Sequence, residues 1–77
     1  MSSGKDVFIA HIRNQNLPLV LLMLQNRANM NFDVYSADIC YEVDHCGNEE
    51  IIHTYVETMR NDYNRRRIEE IRKKRDD

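Results

Sequence analysis

An apolar segment that ends in a polar turn constrains the fold of this chain most. Residues 17–24 have the sequence LPLVLLML, and residues 26–29 have the sequence NRAN. Proline is tolerated in the first turn of a helix, where its missing N–H has no partner, so Pro18 fixes the start of a helix. Asn26 and Asn29 favour turns, so this helix ends within about three turns. A helix this short and apolar is stable only when it packs against another element.

The helical spacing of apolar residues, together with capping and turn residues, predicts four helices. They are expected at residues 6–13, 18–25, 37–43 and from residue 49 onward. Asp6 can cap the first helix and Ser36 the third, because both side chains accept hydrogen bonds from free N–H groups. Residues 44–48 form a loop in which Gly47 can supply a positive φ. The chain is therefore expected to be helical throughout, with short links.

Some positions in each of the four predicted helices are expected to face the core. Val7, Ala10 and His11 share one face of the first helix, and Ile39 and Cys40 are expected to point inward in the third. The fourth helix carries five apolar residues on one face, at positions Ile51, Ile52, Tyr55, Val56 and Met59. In the second helix, Leu21 is predicted to lie in the core.

The chain contains one structural unit twice: a short helix, a tight link, a second helix and an extended polar stretch. The first unit has NLPLVLLML at residues 16–24 and NRANMN at residues 26–31. The second has SADICYE at residues 36–42 and GNEEII at residues 47–52. These segments resemble the ankyrin repeat family, which has GNLELVKLLLE, NGANVN, TPLHLAA and GNEEIV in the corresponding places. Ala10 falls at the small packing residue of the first helix of such a repeat.

The resemblance covers residues 6–59, or about two divergent repeats, and implies an all-α fold. That fold is a short ankyrin-like stack of two helical hairpins followed by a charged C-terminal helix. Residues 1–5 are then a disordered N-terminus, and residues 60–77 a basic C-terminal helix or tail. Solenoids usually need at least three repeats or specialised caps. Either the tail therefore folds back over the stack, or another protein covers the apolar surface that is left open.

The resemblance also implies where such a chain binds its partner. The binding surface consists of the extended finger, which is residues 29–35 here, and of the face of the first helix of a repeat. The corresponding residues are Asn29, Asn31, Asp33, Tyr35, Asp38, Tyr41 and Glu42. We therefore expect non-catalytic protein binding, as an adaptor or a small subunit of a larger assembly. The expected partner is another protein or a multi-subunit complex.

The net charge of −2 conceals two regions of opposite sign. Residues 1–59 hold three basic and eight acidic side chains, and residues 60–77 hold eight basic and five acidic ones. The basic cluster consists of Arg65, Arg66, Arg67, Arg72, Lys73, Lys74 and Arg75. Clustered cations suit phosphate groups, so the alternative function is that of a nucleic-acid-binding accessory protein. Glu69 and Glu70 interleave with these cations, which also suits an ordinary solvated helix with internal ion pairs.

The sequence gives little support for a metal site or for an enzyme active site. The zinc-ligating residue types that lie closest together are Cys40, His45, Cys46 and His53. Zinc ligand pairs normally have two to four residues between them, and His45 and Cys46 are adjacent. Cys46 beside a histidine also lacks a third orienting group for nucleophilic catalysis. We therefore predict no metal, no cofactor and no catalytic residues, with Cys40 as a small core residue.

The cellular setting is expected to be intracellular. The longest apolar run has eight residues, far fewer than the roughly 20 needed to span a bilayer. The first five residues, MSSGK, are polar, and no signal-peptide pattern follows them. Two cysteines without a secretory signal favour a reducing compartment rather than a disulfide framework.

Overall fold

Four helices make up the described part of the chain, residues 3–75 of a computed structural model. They are α1 (Gly4–Arg13), α2 (Leu17–Gln25), α3 (Ala37–Asp44) and α4 (Glu49–Arg75), with a single 3-10 turn at Arg27–Asn29. Residues 3–75 contain no β-strand. The all-α prediction is confirmed. In none of these helices do length and hydrophobicity suffice to cross a bilayer.

The four helices form two stacked hairpins. α1 packs against α2, and α3 packs against α4. Between the hairpins, α1 lies beside α3 and α2 lies beside α4. The core between them consists of Phe8, Ile12, Val20, Leu24, Val34, Ile39, Val43, Ile51 and Tyr55. Each helix contributes two of these residues, so neither hairpin can bury its apolar face without the other.

α1 begins earlier than predicted and buries a different face. The Ser3 hydroxyl accepts a hydrogen bond from the Asp6 N–H at 3.2 Å, so Ser3 caps the helix in place of Asp6. Gly4 and Lys5 therefore belong to the first turn, within the segment that was expected to be disordered; Met1 and Ser2 lie outside the described residues. The buried residues are Phe8 and Ile12. Val7 and Ala10 are exposed and His11 is half-buried, because the two larger apolar side chains occupy the core.

α2 starts and ends as the sequence predicts. The Asn16 side chain accepts a hydrogen bond from the Leu19 N–H, and Pro18 lies in the first turn. At the other end, the Asn26 amide donates to the Leu22 carbonyl at 2.8 Å. The predicted core position Leu21 is wrong: its side chain is 38% exposed, whereas Val20 and Leu24 are buried. Every residue of this helix except Gln25 is apolar, so hydrophobicity alone could not identify the buried side.

The loop between α3 and α4 contains the predicted glycine turn. Gly47 has φ +71°, a left-handed conformation that costs glycine little. Asn48 then caps α4, because its side-chain oxygen accepts hydrogen bonds from the N–H groups of Glu50 and Ile51. Ser36 makes no such cap on α3; its hydroxyl donates instead to the Asp38 carboxylate.

α4 is one uninterrupted helix of 27 residues, so the predicted boundary between residues 59 and 60 falls inside it. Ile51 and Tyr55 are buried, as predicted. Ile52 and Met59 are half-buried against the core, and Val56 is exposed. From residue 63 to residue 74 every side chain is exposed. We call residues 3–62 the body and residues 63–75 the distal part of α4. The basic cluster therefore lies on the distal part of α4, which projects from the body.

Candidate functional site

A hydrogen-bonded cluster joins the segment after α2 to α4. The Arg27 guanidinium donates from Nε to Asp62 Oδ2 and from Nη2 to Asp62 Oδ1, both at 2.6 Å. The Tyr35 hydroxyl donates to Asp62 Oδ2. A two-pronged contact of this kind fixes orientation as well as distance. Asp62 therefore holds both ends of the segment 27–35 against α4.

Local structure orders each member of this cluster. Arg27 opens the 3-10 turn, and its Nη1 also donates to the Leu24 carbonyl at the end of α2, at 2.8 Å. The Asp33 side chain accepts a hydrogen bond from the Tyr35 N–H at 2.9 Å, which shapes the turn before α3. Asp62 lies seven residues, or about two helical turns, after the buried Tyr55 and therefore faces the same side of α4.

The electrostatics of the cluster keep it in one protonation state near neutral pH. The hydrogen bond and charge of Arg27, together with the Tyr35 hydroxyl, lower the pKa of Asp62 to about 2. Burial and the neighbouring carboxylate raise the pKa of Tyr35 well above its ordinary value. Asp62 is thus ionised and Tyr35 protonated at neutral pH. A carboxylate whose pKa is this low is a poor proton acceptor, so the cluster suits a structural role.

A second layer of contacts lies beneath this cluster. Tyr35 packs edge-on against Tyr55, with ring centroids 5.8 Å apart. The Tyr55 hydroxyl donates to the Val34 carbonyl at 2.6 Å and lies 3.4 Å from the Cys40 sulfur. Cys40 is half-buried beside the core and a free thiol, close to its predicted position. This layer ties the segment before α3 to the middle of α4.

The segment 27–35 and α4 enclose a groove of about 530 Å³. Its lining comprises Gln25, Arg27, Ala28, Phe32, Asp33, Val34, Tyr35, Asp62, Arg65, Arg66 and Glu69. Four predicted binding residues therefore meet here: Asp33 and Tyr35 from the finger, and Arg65 and Arg66 from the basic cluster. The lining holds three arginines and three carboxylates, so the groove is polar but close to neutral.

Three of the four predicted finger residues are open to solvent. Asn29, Asn31 and Asp33 are exposed. Tyr35 is half-buried, and its hydroxyl is engaged by Asp62. A partner could therefore reach the two asparagines and Asp33, whereas Tyr35 serves mainly to hold the finger in place.

The predicted binding face of α3 is partly occupied by contacts with α1. Asp38 forms a salt bridge with Lys5. Glu42 accepts two hydrogen bonds from Arg13, at 3.1 and 2.6 Å. Tyr41 is 61% exposed and stacks on the His45 ring at a centroid distance of 4.1 Å. Of the three predicted residues on this face, Tyr41 therefore offers the most surface to a partner.

The basic cluster does not form a single face. Its described side chains are all exposed, at Arg65, Arg66, Arg67, Arg72, Lys73 and Lys74, and Arg75 is the last residue of α4. Three consecutive arginines point about 100° apart around a helix, and the next cations repeat those directions seven residues later. Arg65 lies 3.9 Å from Asp62, three residues earlier in α4, and Arg66 joins Arg65 in the lining of the groove.

Residues 3–75 contain no group of three or more histidine, cysteine, aspartate or glutamate side chains that could hold a metal ion. Cys40 lies against Tyr55, as described above, and the Cys46 sulfur lies 3.8 Å from the Asn48 carbonyl. His45 lies against the last turn of α3, where its Nδ1 is 2.8 Å from the Tyr41 carbonyl. These side chains thus have local partners of their own.

Sequence reasoning missed the residues that organise the site. These are Arg27 and Asp62, which pair with each other, and Tyr55, whose hydroxyl donates to the Val34 carbonyl. Arg27 stands at the glycine position of the NGANVN-like turn, which hid its role as a link to α4. Arg27 and Asp62 are 35 residues apart, and no local spacing connects them. Comparisons with known proteins found no matching family model, no matching curated protein and no matching solved structure.

Proposed function

We propose that this chain is a non-catalytic protein-binding module built on two ankyrin-like repeats. Two hairpins stack with first helix beside first helix and second beside second, an arrangement that agrees with such repeats. By the ankyrin resemblance, the binding surface would consist of the finger after α2 and the exposed face of α3. Protein binding in this fold depends on surface residues and does not identify the partner.

The observation that carries this proposal is the number of large apolar side chains that are exposed. Among residues 3–75, nine large apolar side chains are exposed, as many as form the core. They are Val7, Leu19, Leu21, Leu22, Tyr41, Val56, Tyr63, Ile68 and Ile71. Single exposed apolar residues are common, but so many in so short a chain favour an interaction role. Three of the nine, Tyr63, Ile68 and Ile71, lie on the distal part of α4, and the other six lie on the body.

The test is a comparative affinity purification with the full chain as bait. A variant that combines Asn31→Ala and Tyr41→Ala removes exposed finger and α3 contacts without touching the core. Asn64→Ala, an exposed amide on the distal part of α4, serves as the matched control. We expect a partner that the wild type and the control retain and the double variant loses. Equal recovery with all three baits would contradict the proposed surface.

Nucleic-acid binding through the basic cluster is the second candidate. The observation in its favour is that six basic side chains of the distal part of α4 are exposed. Phosphate contacts release counterions, so such binding must weaken steeply with salt. Binding of an RNA or DNA oligonucleotide at about 150 mM salt that vanishes on deletion of residues 65–77, but survives Asn31→Ala with Tyr41→Ala, would support this function. Absence of binding by the wild-type chain would exclude it.

A further inference from the structure

One side of α4 carries an apolar line that the body does not cover. Ile52, Val56, Met59 and Tyr63 follow one another at separations of four, three and four residues. Such separations place side chains in a single row, as at the a and d positions of a coiled coil. Val56 is 39% and Tyr63 65% exposed, and the other two are half-buried against the core. The row is therefore anchored in the body and open to solvent on its outer side.

The same side of α4 becomes basic beyond Tyr63. Arg66 and Arg67 follow Tyr63 by three and four residues, which keeps them on its face. Together with Glu70 they surround a shallow depression of about 390 Å³ beside the Tyr63 ring. Beyond Tyr63, the charged residues of this side are Arg66, Arg67, Glu70, Lys73 and Lys74. Four cations and one carboxylate give this side a net charge of +3.

Two of these cations are available to a partner. Arg66 and Arg67 form no salt bridge with another described side chain, and Arg66 also borders the groove beside the segment 27–35. Arg60, earlier in α4, pairs with Glu57 at 3.5 Å. Guanidinium groups bind carboxylates through two parallel hydrogen bonds, and they do so more specifically than lysine. An apolar row that leads into free arginines matches a helix with an apolar stripe and acidic residues beside it.

We propose that this side of α4 docks an acidic amphipathic helix of a partner protein. The apolar stripe of the partner would lie along Val56 and Tyr63, and its carboxylates would pair with Arg66 and Arg67. Two copies of this chain would bring the same positive side together, so charge disfavours self-association here. Phosphates would gain nothing from the apolar row and would be repelled by Glu70. The inference rests on the proposed protein-binding function and adds the chemistry of the partner.

The test uses the full chain and a labelled synthetic helix of about three heptads, with leucine at a and d and glutamate at e and g. Binding is followed by fluorescence anisotropy at about 150 mM salt, a concentration that already screens loose surface attraction. A peptide of the same design with lysine in place of glutamate controls for the apolar contribution. Circular dichroism of each protein variant establishes that the body remains folded.

Two pairs of variants separate this side of α4 from the rest of the same helix. Tyr63→Ser removes an exposed side chain of the apolar row, and Ile68→Ser removes a comparably exposed one that points about 140° away. Arg67→Glu reverses a charge on the proposed side, and Arg72→Glu reverses one on the opposite side. We expect Tyr63→Ser and Arg67→Glu to weaken binding of the acidic peptide about tenfold or more. The two control variants should change it less than about twofold.

The proposal is overturned if the acidic peptide fails to bind at about 100 μM, a concentration well above that of a typical specific interaction. Equal binding of the lysine peptide, or equal losses in the control variants, would also overturn it. Sedimentation that shows a wild-type dimer abolished by Tyr63→Ser would assign this side to a second copy instead. If peptide binding fails while partner capture still depends on Asn31 and Tyr41, the docking inference falls and the protein-binding function stands.

Discussion

The two parts of α4 show how differently tertiary packing treats one continuous helix. In the body, Ile51 and Tyr55 are almost completely buried, and Asp62 is hydrogen-bonded by Arg27 and Tyr35. In the distal part, every described side chain from residue 63 to residue 74 is exposed. The first part is held by contacts with the other helices. The second depends on helix propensity, i to i+4 pairs and continuity with the first, each of which contributes little alone.

This difference shows that the apolar character of a residue alone does not predict how much it contributes to the stability of the fold. Isoleucines occur in both parts, at positions 51, 52, 68 and 71. Ile51 is surrounded by core residues, whereas Ile68 and Ile71 lie on a projecting helix. The same substitution in the two parts should therefore have very different consequences.

The largest contrast is expected between Ile51→Asp and Ile71→Asp. The first places an unpaired charge in the core and should cost several kcal/mol, enough to unfold so small a domain. The second changes an exposed position and should alter the free energy of unfolding by less than about 0.5 kcal/mol. Urea unfolding followed by circular dichroism measures both. A folded Ile51→Asp variant would show that the body does not depend on this core.

Asp62→Asn tests the contact at which the body ends. The amide keeps the shape of the carboxylate but loses its charge, so the Arg27 guanidinium loses its ionic partner. Charge-assisted hydrogen bonds of this kind contribute about 1–3 kcal/mol, and we expect a loss of that order in the free energy of unfolding at pH 7. Asn61→Ala, at the neighbouring exposed residue, is the control. Equal losses in the two variants would mean that the cluster contributes nothing specific.

The same carboxylate predicts a dependence of stability on pH. In the folded chain the pKa of Asp62 is about 2, below the value of about 3.9 for an unfolded aspartate. A lowered pKa stabilises the fold above the unfolded value, and this contribution disappears as pH falls from about 5 towards 2. The stability difference between wild type and Asp62→Asn should therefore shrink over this interval. A constant difference from pH 7 to pH 2 would contradict the assigned ion pair.

A smaller effect is expected for Leu21→Asp in α2. The Leu21 side chain is partly exposed, so a carboxylate there can reach water, and we expect a loss of about 1 kcal/mol with the fold retained. Val20→Asp, one residue earlier, buries the charge and should unfold the chain. Thermal unfolding of the two variants compares them directly. If both unfold, then α2 presents a wider buried face than its exposure indicates.

The smallest effect is expected from removal of the outer end of α4. Deletion of residues 68–77 removes no buried side chain of the described part of the chain. The free energy of unfolding should change by less than about 0.5 kcal/mol, because only surface interactions are lost. Helix content measured by circular dichroism should nevertheless fall. A large loss of stability would show that the distal part contributes to the body after all.

Much of the fold could be predicted from local sequence features. Pro18 indicates the start of α2 and the asparagines after it indicate its end, since these residues act on the nearest backbone groups. Gly47 indicated the turn before α4 for the same reason. The inward face of α1 was less accessible, because Val7, Phe8 and Ile12 are all apolar and only the neighbouring helices select among them. The extent of α4 was left open, since charged helix formers support both a helix and a loose tail.

The candidate site was predictable only in parts. Local patterns and the ankyrin resemblance identified Asn29, Asn31 and Tyr41 as candidate binding residues, and all three are exposed. They could not show that Asp38 and Glu42 pair with α1 or that Tyr35 serves as an anchor. Those contacts join residues 27 or more positions apart, and no periodicity relates such positions. Whether a side chain is free for a partner depends on contacts of this long-range kind.

Local sequence features determined the helical class, the bounds of α2, the turn at Gly47, and the division into an acidic part and a basic part. These properties follow from interactions between residues close along the chain. The tertiary structure decided which leucines of α2 are buried, that the finger and the basic segment share a groove, and where the body ends. Each of these depends on which distant groups meet, above all Arg27, Tyr35 and Asp62. The apolar segment that constrains the fold thus required a helix in contact with others, and packing against α1 and α4 selected its buried side.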